Sequence, residues 1–102
     1  MAFERPELGE WCEITAEAYK KKAPWSRGVR KVEWMPKKLA QPLRGMYIGW
    51  RTVFDGEAEY IGEEEGAVFK QGESREVWLF VTSPRKNPIR TFPNGVKREV
   101  KS

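Results

Sequence analysis

From Gly45 to Phe92 the chain is cut into short segments that alternate apolar and polar residues, punctuated by glycine, proline and charged turns. Strand side chains point to opposite faces in turn, so this pattern reads as a succession of short strands. Met46, Ile48 and Trp50 alternate with Tyr47, Gly49 and Arg51. Asp55-Gly56 has the chemistry of a two-residue hairpin turn, with Glu57–Ile61 as the returning strand. Gly62-Glu63-Glu64-Glu65-Gly66 reads as a charged loop, Ala67–Lys70 as a short strand and Gln71-Gly72-Glu73-Ser74 as a further turn. Glu76–Thr82 is apolar on both faces, as a central strand requires. Ile89–Phe92 is a last short strand, Pro93-Asn94-Gly95 a turn, and Val96–Val100 an edge strand or a trailing end.

The first half is less regular. In Gly9–Thr15, Trp11, Glu13 and Thr15 fall on one side of a strand, with Cys12 and Ile14 on the other. Thr15 is placed to cap a short helix over Ala16–Lys22, with lysines at its far end to suit the helix dipole and Pro24 to stop it. Residues 23–44, broken by Pro36 and Pro42, read as a long, basic, partly irregular loop, of a length that is usually functional or mobile.

These elements predict a single mostly-β domain over residues 1–102: an SH3-like small barrel or rolled antiparallel sheet, with one short N-terminal helix and a basic insert at about 23–44. The opening Gly9–Thr15, Gly45–Trp50, Asp55-Gly56, and Val77–Val81 with its proline turn together resemble the SH3-like barrels of KOW and Tudor domains. The chain is also similar in build to small accessory proteins of phages and prophages. Its basic insert departs from the short loop such barrels usually carry.

Composition narrows the chemistry. The chain has no histidine, the commonest general base, and a single cysteine. Cys12 shares its strand side with Ile14 and reads as a buried structural thiol, not a nucleophile. A zinc site lacks ligands, and the adjacent Glu63, Glu64 and Glu65 cannot easily converge on one ion. Glu57 and Glu59 share a strand face as ordinary solvated residues do. A non-catalytic protein without cofactor or metal is expected. The longest apolar run, Val77–Val81, is too short to span a membrane, and the N-terminus lacks a signal peptide's features, so a cytoplasmic location and no membrane partner are expected. Five tryptophans in 102 residues are many. Some belong in the core, and the others need a reason to be at the surface.

Charge supplies that reason. Residues 18–51 carry ten Lys/Arg against one Glu, whereas residues 52–83 carry two against eight. Lys20, Lys21, Lys22, Arg27, Arg30, Lys31, Lys37, Lys38 and Arg44 are interleaved with Trp25 and Trp34. Cations neutralise phosphates and flat rings stack on bases, so this segment is a candidate nucleic-acid-binding site. Arg85, Lys86, Asn87 and Arg90 extend it on a proline-stiffened loop. The bland alternatives are a solubilising loop whose tryptophans tuck into the barrel, and a rigid connection that closes it. The acidic stretch 55–65 is either a solvated turn region, a docking face for a basic protein or a charge mimic of nucleic acid. The partner is therefore expected to be nucleic acid or, alternatively, a protein bound through exposed aromatics, with the oligomeric state open. One continuous basic surface would favour nucleic acid, and interspersed charges a protein.

Overall fold

The computed structural model describes residues 4–98. It contains strands β1 (Trp11–Lys22), β2 (Val29–Gly62), β3 (Gly66–Val81) and β4 (Ile89–Thr91), a single 3₁₀ turn at Pro93–Gly95, and β5 (Val96–Arg98). The strands form one antiparallel sheet in the order β4-β3-β2-β1-β5. Of the expected final strand, Val96–Arg98 is present beside β1, while Glu99 and Val100 lie outside the described residues, as do Met1–Phe3.

The expected helix over Ala16–Lys22 is instead the second half of β1, and no α-helix occurs among the described residues. The reason is tertiary. A seven-residue helix is marginal by itself, whereas as a strand this segment pairs with β2 from Ala16↔Lys38 to Lys22↔Val32 and buries Ala18. The same pairing converts the expected loop at 23–44 into the first arm of β2. Its two prolines are accommodated without a break. Pro36 sits opposite Ala18, and Pro42 ends a bulge in which Leu39, Ala40, Gln41 and Pro42 together face the single residue Thr15.

β2 has 34 residues. A straight strand of that length would run to about 110 Å, but the longest dimension of the molecule is 57 Å. The strand therefore bends back on itself. Its two arms meet where the Tyr60 N–H donates to the Gly28 carbonyl (2.8 Å) and the Trp34 N–H donates to Asp55 Oδ1 (2.7 Å). Near the bend, Gly45 is buried, and a Cβ there would stand 2.9 Å from both Ile14 Cδ1 and Phe80 Cβ. Close passage of three chains thus requires glycine.

Two hydrophobic clusters result. Cys12, Ile14, Tyr47, Trp78 and Phe80 form one, while Ala18, Trp34, Val53, Val77 and Phe92 form the other. β3 supplies both: Val77 faces one cluster, Trp78 and Phe80 the other. This is the doubly apolar central strand expected at 76–82. Each large side chain so buried contributes roughly 1.5–3 kcal/mol. Cys12 is fully buried, and its Sγ lies 3.8 Å from Glu10 Oε2.

The sheet does not close into a barrel. β4 and β5 remain its two edges. The bend brings β4 across β1, but through a side chain: buried Thr91 Oγ1 donates to the Ala16 carbonyl (2.5 Å). With only three residues each, β4 and β5 are too short to complete a ladder around the ring. The closed SH3-like form is thus replaced by an open, strongly bent sheet.

Both ends of the described chain are clamped by arginine–carboxylate forks. Arg5 Nε and Nη2 donate to Glu76 (3.1 and 2.7 Å), and Arg98 Nε and Nη2 donate to Glu10 (2.6 and 2.7 Å). Trp78 Nε1 also donates to Glu76 (2.6 Å). The arginine hydrogen bonds hold both carboxyls below their ordinary value of 4.5. A carboxyl depressed in the folded state contributes stability above its unfolded value and loses it as pH falls through the folded one. The melting temperature is therefore expected to hold near neutrality and to decline once pH drops below 4.5. Thermal melts of Glu10→Gln and Glu76→Gln should show a shallower acid decline. A wild-type acid decline that both variants retain in full would remove the clamps as its cause.

Candidate interaction surface

The bend turns the molecule into two ribbons lying side by side. The first arm pairs Ala16–Lys22 of β1 with Val32–Lys38 of β2, and the second pairs Gly49–Gly62 of β2 with Gly66–Leu79 of β3. Residues 16–38 carry eight Lys/Arg against two Glu, and residues 51–75 carry three Lys/Arg against seven Asp/Glu. A basic arm thus lies against an acidic one.

Strand alternation then divides the basic run. Directly opposed residues share a face, so Glu17/Lys37, Tyr19/Met35 and Lys21/Glu33 point one way. Ala18/Pro36, Lys20/Trp34 and Lys22/Val32 share the other face, on which Ala18, Trp34 and Val32 are buried while Lys20, Lys22 and Pro36 stay exposed. On the outward face the lysines are interspersed with Glu17 and Glu33, and Lys31 Nζ pairs with Glu33 Oε1 at 3.1 Å. Lys20 shares the face of Trp34 but stays exposed, its Nζ 5.8 Å from the centre of the exposed Phe69 ring. Lys20, Lys21 and Lys22 also lie along the free side of β1, since β5 covers only Cys12–Ile14. Lysines at such a position blunt an exposed strand edge.

The aromatic part of the expected site changes most. Trp34 is only 6% exposed, inside a core cluster, and Arg90 lies over its ring at 5.2 Å. It has no free face for a base, which is a correction to its expected role. Trp25 is 44% exposed, with the Arg30 guanidinium 4.8 Å from its ring centre and Tyr60 meeting it edge-on at 6.4 Å. Arg44 covers Trp11 at 4.5 Å, and Arg5 covers Trp50 at 3.8 Å. Arginine is thus placed against four of the five tryptophans. Arg85, Lys86 and Asn87 stay exposed on the Ser83–Pro88 loop, shaped by a turn in which Lys86 N–H donates to the Ser83 carbonyl (3.1 Å). Lys37 and Lys38 are exposed at the base of the basic arm, and Arg27 at its tip.

Arg27 and Gly28 have φ of 52° and 78°. Ser26 and Val29 exchange both backbone hydrogen bonds around them, as in a type I′ hairpin turn. Arginine is costly in this left-handed position, where asparagine is favoured. Arg27→Asn is expected to raise stability by about 0.5–1 kcal/mol in urea unfolding. A loss of stability would show that the arginine side chain holds the turn through its own contacts.

The two arm tips together form a cluster that the sequence did not reveal. Trp25, Tyr60 and Phe69 are each at least 39% exposed and lie beside Arg30 and Lys20. Arg30 Nε is buried there without a hydrogen-bond acceptor. Beyond it the turn Glu63-Glu64-Glu65 projects from the acidic arm. Among the described residues no three His, Cys, Asp or Glu side chains converge as a metal site, and no helix is long and apolar enough to cross a membrane. No protein-family model, curated protein or solved structure matches the chain.

Proposed function

We propose that this chain is a non-catalytic protein-interaction module that binds its partner through the aromatic tips of its two oppositely charged arms. The observation carrying this reading is the exposed Trp25–Tyr60 pair, buttressed by Arg30 and flanked by lysines on one side and glutamates on the other. Tryptophan, tyrosine and arginine are the residues most often found at interface hot spots, and neighbouring charges of both signs select one partner over others. An acidic arm packed against the basic one would repel phosphates close to it, which favours a protein over nucleic acid. A role as a small phage-type accessory protein, on a scaffold related to SH3-like barrels, is compatible with this build.

The test is affinity purification of the intact chain beside Trp25→Ala and Tyr60→Ala, with and without nuclease. Expected is a defined protein recovered by wild type, resistant to nuclease, and reduced roughly tenfold or more by either substitution, as for a hot spot. Recovery indifferent to both substitutions would sink the reading. The second reading is nucleic-acid binding. It draws support from Arg90, which brings the 85–90 loop beside the basic arm by resting on Trp34. It requires nuclease-sensitive recovery and an affinity that falls steeply with salt.

A further inference from the structure

Beyond the arm tips, the fold leaves a slot between β3 and β1. At the base of the molecule residues 89–98 bridge these two strands. Ile89–Thr91 pairs with residues 78–80 of β3, and Thr91 Oγ1 donates to the Ala16 carbonyl. Thr15 Oγ1 then donates to the Gly95 carbonyl at 3.1 Å, and Val96–Arg98 pairs with residues 12–14 of β1. On the tip side of this bridge the seam is open. Among the described residues, neither 17–22 of β1 nor 67–77 of β3 has a strand on its free side. The two free edges flank one gap, since Lys20 of β1 reaches the Phe69 ring of β3 at 5.8 Å. Residues 67–74 are exposed without interruption. Each edge presents backbone N–H and C=O groups to the gap, a template for a further strand.

We infer that this slot takes an extended acidic segment of a partner protein, which adds a strand between residues 17–22 and 67–71. Main-chain groups on both walls favour an extended backbone over a helix, as in recognition by strand addition. The free length of β1 matches an ordinary strand of about five or six residues. Charge then selects the kind of strand. Lys20, Lys21 and Lys22 line one wall, and among the described residues they form no ion pair. The other wall has no cation to spare: Lys70 is held by Glu59 at 3.0 Å and Arg75 by Asp55 at 3.1 Å. Gly66-Ala67-Val68-Phe69 carries no charge, and Glu73 stands in the bulge at 72–73, past the regular stretch. Lysines keep ordinary strands off an exposed edge, but opposite charges on neighbouring strands attract. The same lysines therefore admit a strand that carries carboxylates. Lys20 and Lys22 share one face and Lys21 the other, so a carboxylate on either face of the segment meets a lysine. Glu63, Glu64 and Glu65 lie past the tip end of the slot and confine the acidic stretch to the slot itself.

The inference does not depend on what the Trp25–Tyr60 pair binds, because it uses strand edges and not those rings. The probe is a displayed library of random linear peptides of about ten residues, long enough for one strand, selected against the intact chain. Recovered peptides should carry a net excess of Asp and Glu and no internal proline. Synthesised singly, they should slow amide exchange at 17–22 and 67–71. Lys20→Glu combined with Lys22→Glu should weaken their binding roughly tenfold, with an unchanged circular-dichroism spectrum. Lys97→Glu, a charge change outside the slot, should not. Selection that enriches nothing, or that enriches neutral or basic sequences, overturns the inference. So does a bound peptide that leaves both edges exchanging as before. A chain that dimerises with these edges protected and no peptide present would put a second copy in the slot, and would overturn it too.

Discussion

Replacing Gly56 with alanine is expected to lower stability by about 3 kcal/mol, enough to depress the melting temperature by roughly 12–24 °C in a domain of this size. A Cβ at Gly56 would collide with the Lys70 backbone carbonyl, which cannot rotate away as a side chain can. It would also meet Phe69 Cζ at 2.9 Å and the Gly72 nitrogen at 3.1 Å. The crowding arises because Asp55-Gly56 is not a turn. It lies in the middle of the β2–β3 ladder, at a bulge where the register passes from Phe54↔Ser74 to Gly56↔Gln71. The two possibilities separate cleanly. In a two-residue hairpin turn Gly56→Asn would be nearly harmless, because asparagine tolerates positive φ. In the bulge it should be at least as damaging as alanine. Urea unfolding of both variants decides the matter, and a change under about 0.5 kcal/mol for either would contradict the close packing at this point.

Asp55-Gly56 also shows why some of the fold was readable and some was not. β3 at Val77–Phe80, β4, and the Cys12/Ile14 side of β1 follow from local patterns that burial merely confirms. Cys12, Ile14, Val77 and Phe80 are fully buried. The actual hairpin turn on the second arm is Glu63–Glu65, where three charged residues lack the usual turn dipeptide. The helix expected at Ala16–Lys22 and the loop expected at 23–44 failed for one shared reason. Each segment has weak preferences of its own, and only their mutual pairing makes them strands. Bulges at Ile48 and at 72–73 further change the phase of the alternation, so no single period describes β2 or β3. The candidate surface was legible as charge but not as geometry. The basic run was visible, whereas its division between two faces was not. Tyr60 and Phe69 were missed because only the bend of β2 brings them to the tip of the basic arm.

The largest consequence of that bend concerns Asp55 itself. Asp55→Ala is expected to cost about 3 kcal/mol. Its carboxylate is the link between the two arms: Oδ1 accepts the Trp34 N–H at 2.7 Å, and Oδ2 accepts Arg75 Nη1 at 3.1 Å. The Trp34 N–H points away from β1 and has no ladder partner on that side, so loss of Asp55 leaves a donor beside the core unsatisfied. Arg75, which also lies 4.9 Å over the Phe92 ring, would lose its counter-charge, a smaller term because its side chain is 36% exposed. Asp55→Asn keeps an oxygen for Trp34 and gives up the ion pair, so it should recover more than half of the alanine loss. A turn would invert this order, since Asn-Gly is the best type I′ dipeptide and Asp55→Asn should then stabilise. Thermal melts read the order of the three proteins directly. Amide exchange then locates the effect: at Trp34 it should accelerate strongly in Asp55→Ala and only slightly in Asp55→Asn. Because the same carboxylate fixes one arm against the other, Asp55→Ala should also weaken any partner bound across Trp25 and Tyr60. It would do so without touching either ring, through loss of the preorganised pair. Unchanged Trp34 exchange in the alanine variant would mean that the arms are held together by their clustered side chains alone.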